Sequence, residues 1–145
     1  GEQAVLLVAA QVNRWQRSTI SKPLLKHDLF KPILTHASKA GVDVKKPFPF
    51  LLEGNFRQLR IHVINGTNPK FDGHGGEQKF YKQDVQQRNN QSATVVGFYS
   101  AGTQGVYTHP GTSWHMHAEI KDENIGAHVD DIATNEGVTL KFPSQ

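Results

Sequence analysis

The stretch from Thr94 to Phe142 constrains this 145-residue chain most, because it alternates short strand-like runs with turns and leaves no room for a helix. Thr94–Ser100, Ser113–Ile120 and Ala127–Ile132 read as strands, and a last run lies near Val138–Phe142. A Gly-containing loop follows the first, and Lys121–Gly126 makes a turn between the second and third. Strands returned on themselves in this way bury an apolar face by curving, so the sequence predicts a strongly curved or barrel-like sheet, mixed or antiparallel.

Upstream of it, Ala4–Val12 (AVLLVAAQV) is short, apolar and free of Gly and Pro, the pattern of a buried strand. Trp15–Pro23 is mixed and polar. Leu24–Ala40 has helical spacing, with Leu25, Leu29 and Ile33 on one face and Phe30, Leu34 and Ala37 beside it. Pro32 predicts a break there, with Lys31 or Pro32 starting a second helical stretch, and Gly41 is a C-terminal stop. Two prolines hold Lys46–Phe50 extended, and Leu51–Ile64 continues as strand around Gly54. In its second part Leu59, Ile61 and Val63 alternate with Gln58, Arg60 and His62, giving one core face and one polar face. Asn65–Gly76 (NGTNPKFDGHGG) marks a long turn or loop, and polar Lys79–Gln91 admits a short strand. The fold class expected is α+β, a curved sheet carrying one or two packed helices, in a single domain spanning 1–145.

Composition narrows the chemistry. Cysteine is absent, so no thiolate can ligate a metal and any metal site must use His, Asp and Glu. Eight histidines make the side chain that most often ligates metals unusually plentiful. Sixteen Lys and Arg are scattered among thirteen acids for a formal net charge of +3, with no basic stripe to bind nucleic acid. The longest apolar run, Ala4–Ala10, is far short of the roughly 20 residues that span a bilayer, so no membrane partner is expected. The expectation is a soluble protein, cytoplasmic or exported after loss of a leader, and the first residue, Gly rather than Met, points to a processed or engineered start. A homodimer is an assembly left open.

The histidine pattern is the candidate site. Successive side chains on a strand point to opposite faces, so His115 and His117 project to one side with Met116 between them facing the other way. His128 lies eleven residues on, where a hairpin return would set it across from the pair. Three imidazoles with a fourth position open are the form of a catalytic zinc site, and the same donors suit nickel, copper or iron as alternatives. His27 and His36 occupy polar helical positions and His74 a Gly-rich loop, all ordinary placements. His109, in a loop before the metal strand, and His62, on a face with Arg60, are intermediate.

These residues resemble the acetolactate decarboxylase family. Thr94-Val95-Val96-Gly97-Phe98-Tyr99, Pro110-Gly111, Trp114-His115-Met116-His117 and Gly126-Ala127-His128-Val129-Asp130 are similar, in order and in spacing, to that family's aromatic strand, proline-glycine turn, H-x-H pair and later glycine-histidine segment. Pro47-Phe48-Pro49-Phe50, Glu53-Gly54-Asn55-Phe56 and the Arg60/His62 strand resemble its upstream elements, so the likeness covers about residues 46 to 142. The resemblance implies a Zn2+ ion on His115, His117 and His128, and decarboxylation of 2-acetolactate, a small carboxylate, to acetoin. The metal would act there as a Lewis acid that stabilises an enediolate.

The chain departs from the family at three places. Where the family strand carries two arginines, this one has Arg60 and then His62. Neither of the family's two glutamates has a clear counterpart, and Glu119, on the face of His115 and His117, or Glu53 is the available substitute. Arg60, His62 and Glu119 are therefore the candidate catalytic residues. Domains sharing the pattern include an esterase-like zinc protein and DNA-associated members, so a metal-dependent ester hydrolase and a non-catalytic metal- or ligand-binding module stand as alternatives.

Overall fold

The computed structural model describes residues 14–64, 83–100 and 113–144. It contains β1 (Trp15–Ile20), α1 (Lys26–Lys39), β2 (Phe48–Ile64), β3 (Gln83–Ser100), β4 (Ser113–Ile120), a 3-10 turn (Lys121–Glu123), β5 (Ile125–Thr134) and β6 (Val138–Pro143). The expected strand Ala4–Val12, the loop Asn65–Gly76, His74 and the His109 to Gly111 stretch lie outside the described residues.

All strand pairings are antiparallel, in the order β1-β6-β2-β3-β4-β5. The 17-residue β2 organises the sheet. One edge pairs with β3 along the whole strand, from Phe48↔Tyr99 to Ile64↔Gln83. The other edge takes β6 at Leu51–Glu53 and β5 at Phe56–His62. Since β3 also pairs with β4, and β4 with β5, the β2–β5 ladder closes a ring of four strands. Closure satisfies backbone groups that an open edge would leave bare.

Alternation fills the inside. Phe50, Leu52, Leu59, Ile61, Val95, Ala118, Leu140 and Phe142 are wholly or almost wholly buried, and α1 lays Leu29, Ile33 and Ala37 against them. Phe30 of α1 stacks on Trp114 of β4 at 4.3 Å between ring centres. Gly97 faces Phe50 across the β2–β3 ladder, and a Cβ there would stand 2.1 Å from the Phe50 ring. The aromatic ring occupies the space that any other residue at 97 would take.

The fold class expected from sequence holds, a mostly antiparallel curved sheet with one helix among the described residues. Four local expectations change. α1 runs unbroken through Pro32. The proline removes one hydrogen bond, toward the Asp28 carbonyl, but the buried residues at four-residue spacing on either side of it hold the helix to the sheet. Leu25, expected on the core face, precedes the helix in extended conformation and is 50 % exposed, bridged by its backbone to Ala133. The mixed segment after Arg14 is strand β1, an edge strand whose only ladder among the described residues is with β6. Polar residues from Gln83 onward form one strand with Thr94–Ser100, because β2 supplies a full-length partner.

Candidate metal centre

The outer face of the ring carries the histidines. On β4, Met116 and Ala118 point into the core, so His115, His117 and Glu119 point outward together, as the i, i+2 spacing predicts. The turn after Ile120 is tightened by Asn124 in the left-handed region, and it returns β5 so that His128 lies directly opposite His117. Gly126 makes room for this approach, since a Cβ there would lie 3.1 Å from His117 Nε2.

His128 has a second partner. Its β2 neighbour is His62, and the two ring centres stand 4.9 Å apart. His62, His128 and His117 thus form one row across β2, β5 and β4. His62, with 18 % of its side chain exposed, is also held by Asp130, whose Oδ2 lies 2.7 Å from His62 Nδ1. Asp130 Oδ1 stands 3.9 Å from His128 Nε2.

The other candidates fall beside the row. His115 is opposite Phe98 on β3 and lies beyond the last rung of the β4–β5 ladder, which ends at His117↔His128. Glu119 is two rungs the other way, opposite Thr94 and Gly126. There it lines a shallow cavity of about 410 Å3 with Glu53, Asn55, Thr94, Lys121 and Asp122. Glu53 is paired with Lys141 at 2.6 Å. Arg60, exposed on the face of His62, is opposite Asp131. His36 contacts Ser18 Oγ, and His27 is exposed beside Asp28 at 3.5 Å, both away from this row.

Three imidazoles are a donor set that suits zinc, and the face and register place His117 and His128 as neighbours with His115 close by. Among the described residues, no three His, Asp or Glu side chains converge to the spacing a metal would impose. Asp130 was not singled out by the sequence. Its position two residues after His128 was the available signal, and the contact with His62 depends on a pairing between distant strands.

A family model for alpha-acetolactate decarboxylase matches residues 4–144. This chain belongs to the alpha-acetolactate decarboxylase family. Among solved structures it is similar to acetolactate decarboxylase from Bacillus subtilis subspecies spizizenii and to alpha-acetolactate decarboxylase from Bacillus subtilis strain 168. Each is 17% identical with a TM-score of 0.59, over 93% of this chain and 53% of that one. A Staphylococcus aureus protein of unknown function, described as similar to alpha-acetolactate decarboxylase, gives 14% identity and a TM-score of 0.55 over 90% of this chain and 51% of its own. At these identities the likeness is one of fold. The chain spans about half the length of these alpha-acetolactate decarboxylase-like structures. Among curated proteins, none matches.

Proposed function

We propose that this chain decarboxylates 2-acetolactate to acetoin with a zinc ion held by His115, His117 and His128. The observation that carries the reading is the direct opposition of His117 and His128 on the face that also presents His115, in a chain of this family. Zinc bound there would supply a Lewis acid for the electron pair that departing carbon dioxide leaves behind. The surrounding residues divide the remaining work. Arg60 is the exposed cation on the same face and would attract the substrate's carboxylate. Glu119, two rungs from His117 on the same face, would return a proton to the carbon that has lost carbon dioxide. His62, beside His128, would orient the substrate.

Elemental analysis of protein purified without a metal-affinity tag should give one equivalent of zinc, lost in His117→Ala. Racemic 2-acetolactate should then yield acetoin with the zinc-loaded protein. A fully loaded sample that makes no acetoin would overturn the reaction, and protein that takes up no metal would overturn the centre. His62, where the family has an arginine, favours one second reading, a carboxylate-binding module without turnover. Tight binding of a small carboxylate by a zinc-loaded but inactive sample would establish it.

A further inference from the structure

Asp130 occupies a bulge. The β2–β5 register passes from Arg60↔Asp131 to Ile61↔Val129, leaving Asp130 as the extra residue. Bulges re-aim a side chain, and this one turns the Asp130 carboxylate to His62. Its backbone is fixed as well, because Lys26 Nζ, from the first residue of α1, donates to the Asp130 carbonyl at 2.9 Å. The carboxylate is therefore held at both its main chain and its His62 contact.

A carboxylate only accepts, so the 2.7 Å contact requires that His62 Nδ1 carry the hydrogen. In the neutral ring Nε2 is then the lone-pair nitrogen. We infer that Asp130 is a positioning residue, fixing His62 in the Nδ1–H tautomer with its ring beside His128, so that His62 offers the substrate an acceptor. An arginine at position 62 could only donate, whereas this histidine takes a donor group. Resting on the decarboxylase reading above, the assignment divides the substrate. The 2-hydroxyl goes to His62 Nε2, and the carboxylate goes to Arg60.

The test uses metal-free full chain with 15N-labelled histidine, observed by long-range proton–nitrogen NMR at about pH 8.5, two units above the ordinary histidine value. His62 is identified by the signals missing in His62→Gln. Wild type should show a protonated Nδ1 and a bare Nε2 at His62. Asp130→Asn should retain that pattern, since its amide oxygen still accepts, while Asp130→Ala should shift the proton toward Nε2. A wild-type ring protonated on Nε2 overturns the inference. So does an unchanged tautomer in Asp130→Ala, the result expected if the contact only clamps the bulge. On 2-acetolactate, Asp130→Ala should lose about 10–100-fold in kcat/KM, with Asp130→Asn retaining more. Undiminished turnover in Asp130→Ala overturns the role in catalysis. If the wild type itself makes no acetoin, the decarboxylase reading fails and the tautomer result still decides the positioning.

Discussion

The two faces of β4 and β5 are built from alternate residues of the same strands, yet they carry opposite burdens. Inward, Met116, Ala118, Ile120, Ala127 and Val129 are buried and apolar. Outward, His115, His117, Glu119, His128 and Asp130 are polar and part-exposed or exposed. Stability and the proposed chemistry are separated by a rotation of half a turn along one backbone. Substitutions on the two faces should therefore fail in different assays.

The largest effect belongs to the inner face. Phe50→Ala should lower the unfolding free energy by about 3–5 kcal/mol in denaturant titration, because the ring is wholly buried and its removal leaves a cavity. A loss under 1 kcal/mol would mean the core can collapse onto the gap. Next comes the outer face. Zinc at about one hundred times its dissociation constant should raise wild-type stability by about 2.7 kcal/mol, and this gain should vanish in His117→Ala. In the presence of chelator, the difference between this variant and wild type should be smaller than in the presence of zinc. If His117→Ala instead unfolds the metal-free protein, the two faces are not separable as described.

Gly97→Ala should cost about 1–3 kcal/mol, since the new methyl meets the Phe50 ring. Pairing it with Phe50→Leu should recover part of that cost, and simple additivity of the two would show that the contact is not the cause. The smallest effect lies at a solvent-accessible ion pair. Arg88 donates to both oxygens of Glu123, at 2.6 and 2.8 Å. These hydrogen bonds hold the Glu123 carboxyl below the usual carboxylate range and raise the Arg88 guanidinium. With the folded value depressed, the pair's contribution is present above the unfolded carboxyl value and fades as pH falls through the folded one. Stability of wild type relative to Glu123→Gln should thus narrow in acid and in high salt, and a constant difference from neutral to acid pH would remove the pair from the account.

Legibility in the sequence followed the same division. The β4–β5 hairpin could be read because period-two alternation and a turn are local signals, and they sufficed to put His128 across from the His115/His117 pair; the register that sets it opposite His117 in particular came from the structure. β1 escaped, and the first half of β3 was legible only as a short strand, not as one with Thr94–Ser100, since an edge strand and a polar strand show no apolar alternation and owe their form to β6 and β2. Helix continuity through Pro32 is decided by tertiary packing, against local propensity. His62 beside His128, and the bulge that aims Asp130, depend on register between strands distant in sequence.

The two-edged pairing of β2 also sets an order for folding. Its rungs with β3 begin at Ile64↔Gln83, the shortest loop to close, while those with β5 and β6 join residues much farther apart, Leu51 with Lys141 among them. Among the pairings of β2, loop-closure entropy favours the β2–β3 arm first, with β5 and β6 docking late against an already templated edge. The histidine row spans one of those late seams, so the groups that would perform the chemistry assemble only in the closing stage of folding.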